Sequence, residues 1–362
     1  MKHEILLFLA ASLMLALALV VRGRLQDNYF RFALISVGAF IVAQVLIHTL
    51  TDAVQWQRRS SIEGVLQGLL QDNRQGDRLL LVGSSYTARA IDDAVLEQEL
   101  EQNNAPLLVQ LLSYPGVFAF EQDLFLERYL EQSQQRPAIV LIELGSELIA
   151  TTAKENSMTS KTLRYHDTKR VAMMLHQVIY RMPRENAAEL IPLSAGILER
   201  HLAHLFNLGI LLHIEDTKAA KIRRGFLPDD EVAEGFDIEE ARRIIQARRQ
   251  RSGRIGLNTE IDAYSALIEF RRTQARRLET ENLQPVMFYD VPSLDDTRLA
   301  RTDALCRALG QYCIALDPGL WNLLDETMWT DMGHLNTEGG RVFVASLARR
   351  LVDKLGAGNA LQ

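Results

Sequence analysis

Two long uncharged hydrophobic runs dominate the first part of the chain. They cover residues 5–21 and 32–50, and neither contains a lysine, arginine, aspartate or glutamate. Each has close to the roughly 20 apolar residues with which a helix crosses a bilayer core of about 30 Å. We therefore expect residues 1–52 to form a two-span membrane anchor.

The short segment between these runs is basic, with Arg22, Arg24 and Arg31. Because cytoplasmic loops are enriched in Lys and Arg, we expect this loop in the cytoplasm and the remaining chain on the periplasmic side of the inner membrane. A cleaved signal peptide is one alternative for the first run, but no small-residue cleavage site follows Val21. A single span and a buried core helix are the others. Two uncharged runs in tandem argue against the core helix.

Beyond a polar connector, strand-like apolar runs alternate with helical patterns. Continuous aliphatic runs of five to seven residues are typical of parallel strands that are covered on both faces. Regular alternation of strand and helix predicts an α/β fold, a three-layer sandwich around a mainly parallel sheet. The predicted strands are 78–82, 106–112, 138–144, 285–289 and 312–316, and the predicted helices are 90–101, 120–133, 258–280, 298–309 and 338–355.

One interval does not follow this alternation. Residues 156–256 are helical in pattern, polar, and interrupted by apolar patches and basic clusters. We interpret them as a helical insertion above the sheet, because insertions commonly carry specificity on a rigid scaffold. The core then consists of two parts, residues 53–155 and 257–362.

Composition narrows the class of function. The 362 residues have a formal net charge of −6, which gives no reason to expect nucleic acid, since nucleic acid favours a strongly basic face. The two cysteines, Cys306 and Cys313, are too few for a zinc site of the usual kind. They form a disulfide in an oxidising compartment or remain two buried thiols, and the sequence leaves both possibilities open.

Two short blocks at opposite ends of the core carry candidate chemistry. The first predicted strand ends in Gly83, followed by Ser84 and Ser85 at the start of a helical pattern. A serine at this position is ordinarily an N-cap. Near the other end, Asp331 precedes His334 by three residues, a spacing at which the carboxylate can orient the imidazole and leave Nε2 free as a base. Ligands of parallel sheets bind at the carboxyl ends of the strands, where Ser85 is expected.

Together these blocks resemble those of the SGNH, or GDSL-like, hydrolase superfamily. The resemblance implies that Ser85 is the nucleophile, His334 the general base and Asp331 the acid that orients it. It covers about 51–155 and 283–362, and it implies an SGNH-hydrolase-like sheet, no cofactor and no metal ion.

The blocks that supply the oxyanion hole in that superfamily are less well matched. The second block implies Gly116 as one donor. The third block is normally Gly-x-Asn-Asp, and here Gly145 is kept but Glu147 stands at the asparagine position. An ionised glutamate cannot donate a hydrogen bond to an oxyanion, so the substitute candidates are Ser146, a residue of the insertion and a partner protein. Loss of one such donor costs on the order of 10²–10³ in rate.

The anchor, the insertion and the divergent blocks are similar to a particular branch. This branch comprises the membrane-anchored SGNH-like proteins that accompany membrane-bound O-acyltransferases, such as the lipoteichoic acid D-alanyl transfer protein and the alginate O-acetylation proteins. The similarity implies a periplasmic serine acyltransferase or esterase that acts on O-acyl groups, acetyl above all, of an envelope or exported polysaccharide. It also implies an integral-membrane acyltransferase as partner. The alternative is a non-catalytic SGNH-like subunit that binds polymer or docks that acyltransferase.

Two other patterns within the predicted insertion are weaker candidates. His201 and His204 lie three residues apart on a helical pattern, but no acidic third ligand is evident for a metal ion. Residues 223–231 (RRGFLPDDE) have the pattern of a loop between helices and are a candidate for the rim of a substrate site.

Overall fold

A computed structural model describes seven segments of the chain. The predicted anchor (1–52) and the predicted oxyanion-hole residues Ser146 and Glu147 lie outside the described residues. No helix within the described segments is both long enough and apolar enough to span a bilayer. The described segments are 62–145, 166–181, 187–205, 225–228, 230–250, 265–281 and 285–357.

The sheet has five strands, and every pair of neighbours is parallel. Its spatial order is β2-β1-β3-β4-β5. This confirms the predicted α/β class and the parallel sheet. The strands are β1 (Arg78–Gly83), β2 (Leu108–Ser113), β3 (Ile139–Glu143), β4 (Val286–Tyr289) and β5 (Cys313–Ile314).

Helices lie between consecutive strands, as the alternation predicts. Two of these helices begin at an aspartate N-cap: the side chains of Asp92 and Asp295 accept hydrogen bonds from backbone N–H groups of the first turn. These bonds satisfy donors that a helix leaves unpaired. The helices are α1 (Ile62–Leu70), α2 (Ser85–Ala90), α3 (Asp93–Gln102), α4 (Ala119–Gln132), α5 (Thr168–Arg181), α6 (Ala187–Leu205), α7 (Ile238–Gln250), α8 (Ser265–Thr280), α9 (Asp296–Leu309), α10 (Leu320–Leu323) and α11 (Thr337–Ala357).

The strands are apolar on both sides because helices cover both faces of the sheet. Leu79 and Leu81 of β1 belong to one core cluster together with residues of α3 and α11. The alternate residues face the other side, where Gln110 of β2 accepts a hydrogen bond from Tyr129 of α4 and Arg271 of α8 lies over the Phe288 ring of β4. The period of two along a strand produces this division.

The chain divides into two compact units. One contains α6 and residues 168–180 of α5, and the other contains the sheet together with α7. Helix α7 therefore belongs to the core of the second unit, although it lies within the predicted insertion. Its Arg248 is buried and donates hydrogen bonds to the carbonyl oxygens of Ser293 and Leu294.

A disulfide joins Cys306 near the end of α9 to Cys313 at the start of β5. Both residues are buried. The sequence left open whether these cysteines form a disulfide or remain two buried thiols, and in the structure they form the disulfide. The bond fixes the edge strand to the helix that precedes it.

Candidate active site

The site begins where β1 ends. Gly83 is the last residue of that strand, and Ser84 is the N-cap of α2. The Ser84 hydroxyl accepts a hydrogen bond from the Tyr86 backbone N–H at 3.4 Å and donates one to Glu143 at 2.7 Å. Ser84 is buried, whereas Ser85, the first residue of α2, is half-buried. The two adjacent serines therefore have different roles: Ser84 caps the helix, and Ser85 projects toward the other block.

The structure brings Ser85, His334 and Asp331 together. Ser85 Oγ lies 2.9 Å from His334 Nε2, and His334 Nδ1 lies 2.9 Å from each carboxylate oxygen of Asp331. An ionised carboxylate only accepts hydrogen bonds, so Nδ1 donates and Nε2 is left to accept from the Ser85 hydroxyl. This is the arrangement in which an imidazole can remove a serine proton.

Asp331 is held in this orientation by the turn in which it lies. Its Oδ1 accepts the backbone N–H groups of Gly333 at 2.7 Å and His334 at 2.9 Å, and Arg89 of α2 lies 3.4 Å from Oδ2. Partial burial by itself raises the pKa of Asp331. The hydrogen bond and charge of His334, the Gly333 amide and Arg89 outweigh it and lower the pKa to about 2. Asp331 is therefore ionised at neutral pH and accepts the hydrogen bond from His334 Nδ1.

The loop that carries Asp331 and His334 is closed at its base. Trp329 and Leu335 form an isolated antiparallel bridge, and both are buried. The Thr330 N–H donates to the His334 carbonyl oxygen at 3.0 Å. Asn336 then accepts the Gly339 N–H at 3.0 Å, at the start of α11. The loop therefore ends in a helix whose first turn is fixed.

Glycines set the distance between the two blocks. A Cβ at Gly340, in the first turn of α11, would lie 2.7 Å from the carbonyl oxygen of Ala90, the last residue of α2. A Cβ at Gly339 would lie 2.5 Å from the Met328 carbonyl oxygen. Both contacts are shorter than van der Waals packing allows, so a larger residue would move α11 away from α2. These glycines allow His334 to approach Ser85 within hydrogen-bonding distance.

Glu143, which the sequence analysis did not single out, holds the turn that carries Ser84 and Ser85. It ends β3, is fully buried, and accepts four hydrogen bonds, two from Ser84 and two from Thr87. Two of the donors are backbone N–H groups and two are side-chain hydroxyl groups. A buried carboxylate is costly unless it is fully hydrogen-bonded, so this network explains how Glu143 is tolerated. A charged residue at the end of an otherwise apolar strand was the signal that could have revealed it.

A second buried carboxylate and an arginine lie beside Glu143. Arg298 of α9 has its guanidinium 3.3 Å from Asp290 and 3.9 Å from Glu143, and all three residues are buried. Burial raises the pKa of Asp290 to about 6, although Arg298 and a hydrogen bond from the Thr302 hydroxyl act in the opposite direction. One guanidinium thus faces two buried carboxyl groups.

The segment 225–233, which overlaps the predicted rim loop, connects the parts of the site. The Leu227 N–H donates to the Ala88 carbonyl oxygen of α2 at 2.6 Å, and the Ala233 N–H donates to the Thr330 carbonyl oxygen at 2.7 Å. Asp230 accepts the Thr337 N–H at 2.9 Å. The segment therefore contacts α2, the Asp331 loop and the start of α11.

Of the predicted oxyanion-hole residues, only Gly116 is described. It lies in the exposed turn between β2 and α4, with a φ of 72°. Because β1 and β2 are parallel neighbours with Gly83 paired to Ser113, this turn and the Ser85 turn leave the same edge of the sheet. In the other compact unit, His201 Nδ1 contacts the His166 carbonyl oxygen at 2.7 Å. The described residues contain no cluster of three or more ligands for a metal ion.

Replacement of Gly83 by alanine is expected to disrupt this site and the fold. The added Cβ would lie 2.0 Å from Thr87 Oγ1 and 2.8 Å from a Glu143 oxygen, and neither buried side chain can yield without breaking the network. We expect a loss of roughly 3 kcal/mol or more in the free energy of unfolding, measured by urea denaturation. Gly68→Ala is the control, since Gly68 is exposed on α1 with nothing near its Cβ position. Equal stability of the two variants would contradict this account.

The raised pKa of Asp290 predicts a pH dependence of stability. Between about pH 4 and pH 6 the folded protein keeps a proton that the unfolded chain has lost, so the free energy of unfolding falls as the pH rises through that window. The full effect is on the order of 3 kcal/mol. Asp331, with its lowered pKa, contributes in the opposite direction and only below about pH 4. Urea denaturation at several pH values should show the fall in the wild type and its loss in Asp290→Asn; an unchanged slope would refute the assignment.

The five-stranded parallel α/β sheet is consistent with an SGNH-like strand order. No family model, curated protein or solved structure matches the chain.

Proposed function

We propose that this protein is a serine acyltransferase or esterase of the SGNH type. The observation that carries the proposal is the continuous hydrogen-bonded line from Ser85 through His334 to Asp331. Three further points support it: His334 is 18% exposed, Asp331 is 31% exposed, and Ser85 is half-buried. An acyl ester can therefore reach the serine hydroxyl from solvent.

The proposed reaction has two half-reactions that share one imidazole. In the first, Ser85 Oγ attacks the ester carbonyl carbon while its proton moves to His334 Nε2. The tetrahedral intermediate then collapses, the bond to the leaving alcohol breaks, and Nε2 returns the proton to that alcohol. In the second, water or an acceptor hydroxyl gives its proton to Nε2 and attacks the acyl carbon. The bond from that carbon to Ser85 Oγ then breaks, and Nε2 returns the proton to Ser85 Oγ. Asp331 stabilises the imidazolium that forms in each half-reaction.

The developing oxyanion needs hydrogen-bond donors. The Ser85 backbone N–H belongs to the first turn of α2, where a helix leaves its N–H groups without intrahelical partners and favours negative charge. We propose it as one donor, with Gly116 or Ser146 as a second. Glu147, at the position where the superfamily has asparagine, is the feature that favours the alternative of a non-catalytic subunit that binds polymer or docks a membrane acyltransferase.

The location and substrate are proposed from the sequence and one structural feature. The two apolar runs at 5–21 and 32–50 support an inner-membrane anchor with the site on the periplasmic side. The disulfide between Cys306 and Cys313 supports an oxidising compartment. Resemblance to the envelope-modifying branch supports O-acyl groups, acetyl above all, of an envelope or exported polysaccharide as substrate, with an integral-membrane acyltransferase as partner.

Between transfer and hydrolysis, we propose transfer. Water competes for any acyl-serine, so a transferase must hold the acceptor hydroxyl in attack geometry. An anchored site would face an acyl donor delivered within the membrane by an integral partner. The segment 225–233, which connects α2 to the Asp331 loop, adds chain around the strand ends that a bare sheet core lacks.

The neighbouring serines supply a matched test. Ser85→Ala should lower turnover of p-nitrophenyl acetate by at least about 10³-fold, because the nucleophile is lost. Ser84→Ala removes a cap and one buried hydrogen bond to Glu143, at a cost of about 2–4 kcal/mol in stability, but it keeps the nucleophile, so turnover of the folded variant should fall far less than in Ser85→Ala. Steady-state rates of the full-length variants decide this, with thermal unfolding as the check on folding. Wild-type turnover in Ser85→Ala would exclude the assignment, and absence of turnover in the wild type would favour the non-catalytic alternative.

A further inference from the structure

Tyr86, the residue after the proposed nucleophile, packs against the imidazole of His334. The two ring centroids are 4.6 Å apart, and the ring planes differ by 22°. Tyr86 does not contact the reacting atoms through a hydrogen bond in the described part of the site. Its contact with His334 is made by the face of the ring.

Arg298 occupies the other face of the same ring. Its guanidinium carbon lies 3.7 Å from the Tyr86 ring centroid. A planar guanidinium at that distance and an imidazole at 4.6 Å would overlap on a single face of one phenol ring, so the two groups lie on opposite faces. Tyr86 is therefore held between a cation and the proposed general base.

Arg298 is itself fixed. Its side chain is 6% exposed, its Nη1 donates to the Val291 carbonyl oxygen at 2.7 Å, and Asp290 and Glu143 lie within 4 Å of the guanidinium. A guanidinium fastened by these contacts is a rigid support for an aromatic ring. The position of the Tyr86 ring is thus fixed by its contact with the buried Arg298 guanidinium.

The edge of the Tyr86 ring also contacts the turn that carries the proposed base. A Cβ at Gly333 would lie 3.2 Å from Tyr86 Oη and 3.3 Å from its Cε1. Gly333 is the residue before His334, and its N–H donates to Asp331. Absence of a side chain at this position lets the ring approach the turn closely.

The imidazole is attached to the backbone through Cβ, and its Nδ1 contact to Asp331 and Nε2 contact to Ser85 tolerate a range of hydrogen-bond angles. Small rotations about the Cα–Cβ and Cβ–Cγ bonds can therefore still tilt the ring plane. A stacked aromatic face removes this remaining freedom. The plane of the ring decides whether the Nε2 lone pair points at Ser85 Oγ and later at the leaving alcohol.

We propose that Tyr86, supported by Arg298, is a positioning residue that fixes the plane of the His334 imidazole for both proton transfers. The proposal rests on the proposed function of Ser85 and His334. It assigns to Tyr86 no contact with the substrate, so its effect belongs to the chemical step. An imidazole that points away from Ser85 Oγ transfers the proton less efficiently, and a misplacement of about 1 Å can lower the reaction rate about 10²-fold.

The test compares three tyrosine variants of the full-length protein with p-nitrophenyl acetate as probe. Tyr86→Leu, which keeps bulk but removes the aromatic face, should lower kcat by about ten- to a hundredfold with KM little changed. Tyr86→Phe keeps the face and should retain most of kcat. Tyr312→Leu is the matched control, because Tyr312 is half-buried in another part of the sheet unit, where its hydroxyl contacts Glu279.

A spectroscopic measurement separates this proposal from the proposed function. In protein labelled with ¹³C at histidine Cε1, the resonance that disappears in His334→Asn is that of His334. Stacking on Tyr86 shifts the resonance of the proton on His334 Cε1 upfield. This upfield shift should persist in Tyr86→Phe and vanish in Tyr86→Leu. If the wild-type protein shows the upfield His334 shift but does not turn over p-nitrophenyl acetate, the proposed function is refuted, while the contact between Tyr86 and His334 is still demonstrated.

Three outcomes would overturn the positioning role. They are wild-type kcat in Tyr86→Leu, an equal loss of kcat in Tyr86→Phe, and a change confined to KM. Should Tyr86→Leu not fold, Tyr86→Met gives a second test, since it also keeps bulk and removes the aromatic face. It should lower kcat and alter the His334 shift, and failure to change either would equally overturn the proposal.

Discussion

The four hydrogen bonds received by Glu143 are the constraint on which the rest of the site depends. They tie the end of β3 to the backbone and hydroxyl groups of Ser84 and Thr87. A buried carboxylate loses its hydration, and only charge-assisted hydrogen bonds of this number offset the loss. The turn after β1 is therefore held in a conformation that satisfies Glu143, and in that conformation Ser85 Oγ lies 2.9 Å from His334 Nε2. Gly83 is required because any side chain would occupy the space of this network.

From that fixed turn, the position of the imidazole follows through packing rather than through local sequence. Helix α11 lies close to α2 because Gly340 has no side chain, and the segment 225–233 contacts both α2 and the Asp331 loop. These contacts place two blocks that are 249 residues apart within 2.9 Å of each other. The hydrogen bonds among Ser85, His334 and Asp331 act on an arrangement that the backbone already defines.

Much of the sheet could be predicted from the sequence, because a strand buried on both faces has no polar residue to interrupt it. The runs around Leu80 and Leu141 coincide with observed strands to within a residue or two. Strand β5 is shorter than the predicted run 312–316, since it is an edge strand and Ala315 is exposed. The break between α2 and α3 was not predicted, because two short helices joined at Ile91 have the same periodicity as one.

The approach of Ser85 to His334 and Asp331 could be predicted only from the two blocks taken together, since each block alone has an ordinary structural role. The positions of Arg298 and Tyr86 could not be predicted, and Glu143 was marked only as a charged residue at the end of an apolar strand. Their roles depend on which faces and hydroxyl groups meet in space, and periodicity carries no information on that. Helix α7 is a similar case: its sequence is polar and basic, yet Arg248 is buried because two carbonyl oxygens receive its guanidinium.

The central claim is that Ser85 is a nucleophile activated by His334. The most direct measurement is covalent labelling of the full-length protein with a fluorophosphonate probe, followed by mass spectrometry of the peptide that contains residues 84 and 85. The account predicts a single adduct on Ser85, none on Ser84, and its loss in His334→Asn while the protein remains folded. An adduct on Ser84, or labelling of Ser85 at the same rate without the imidazole, would contradict it.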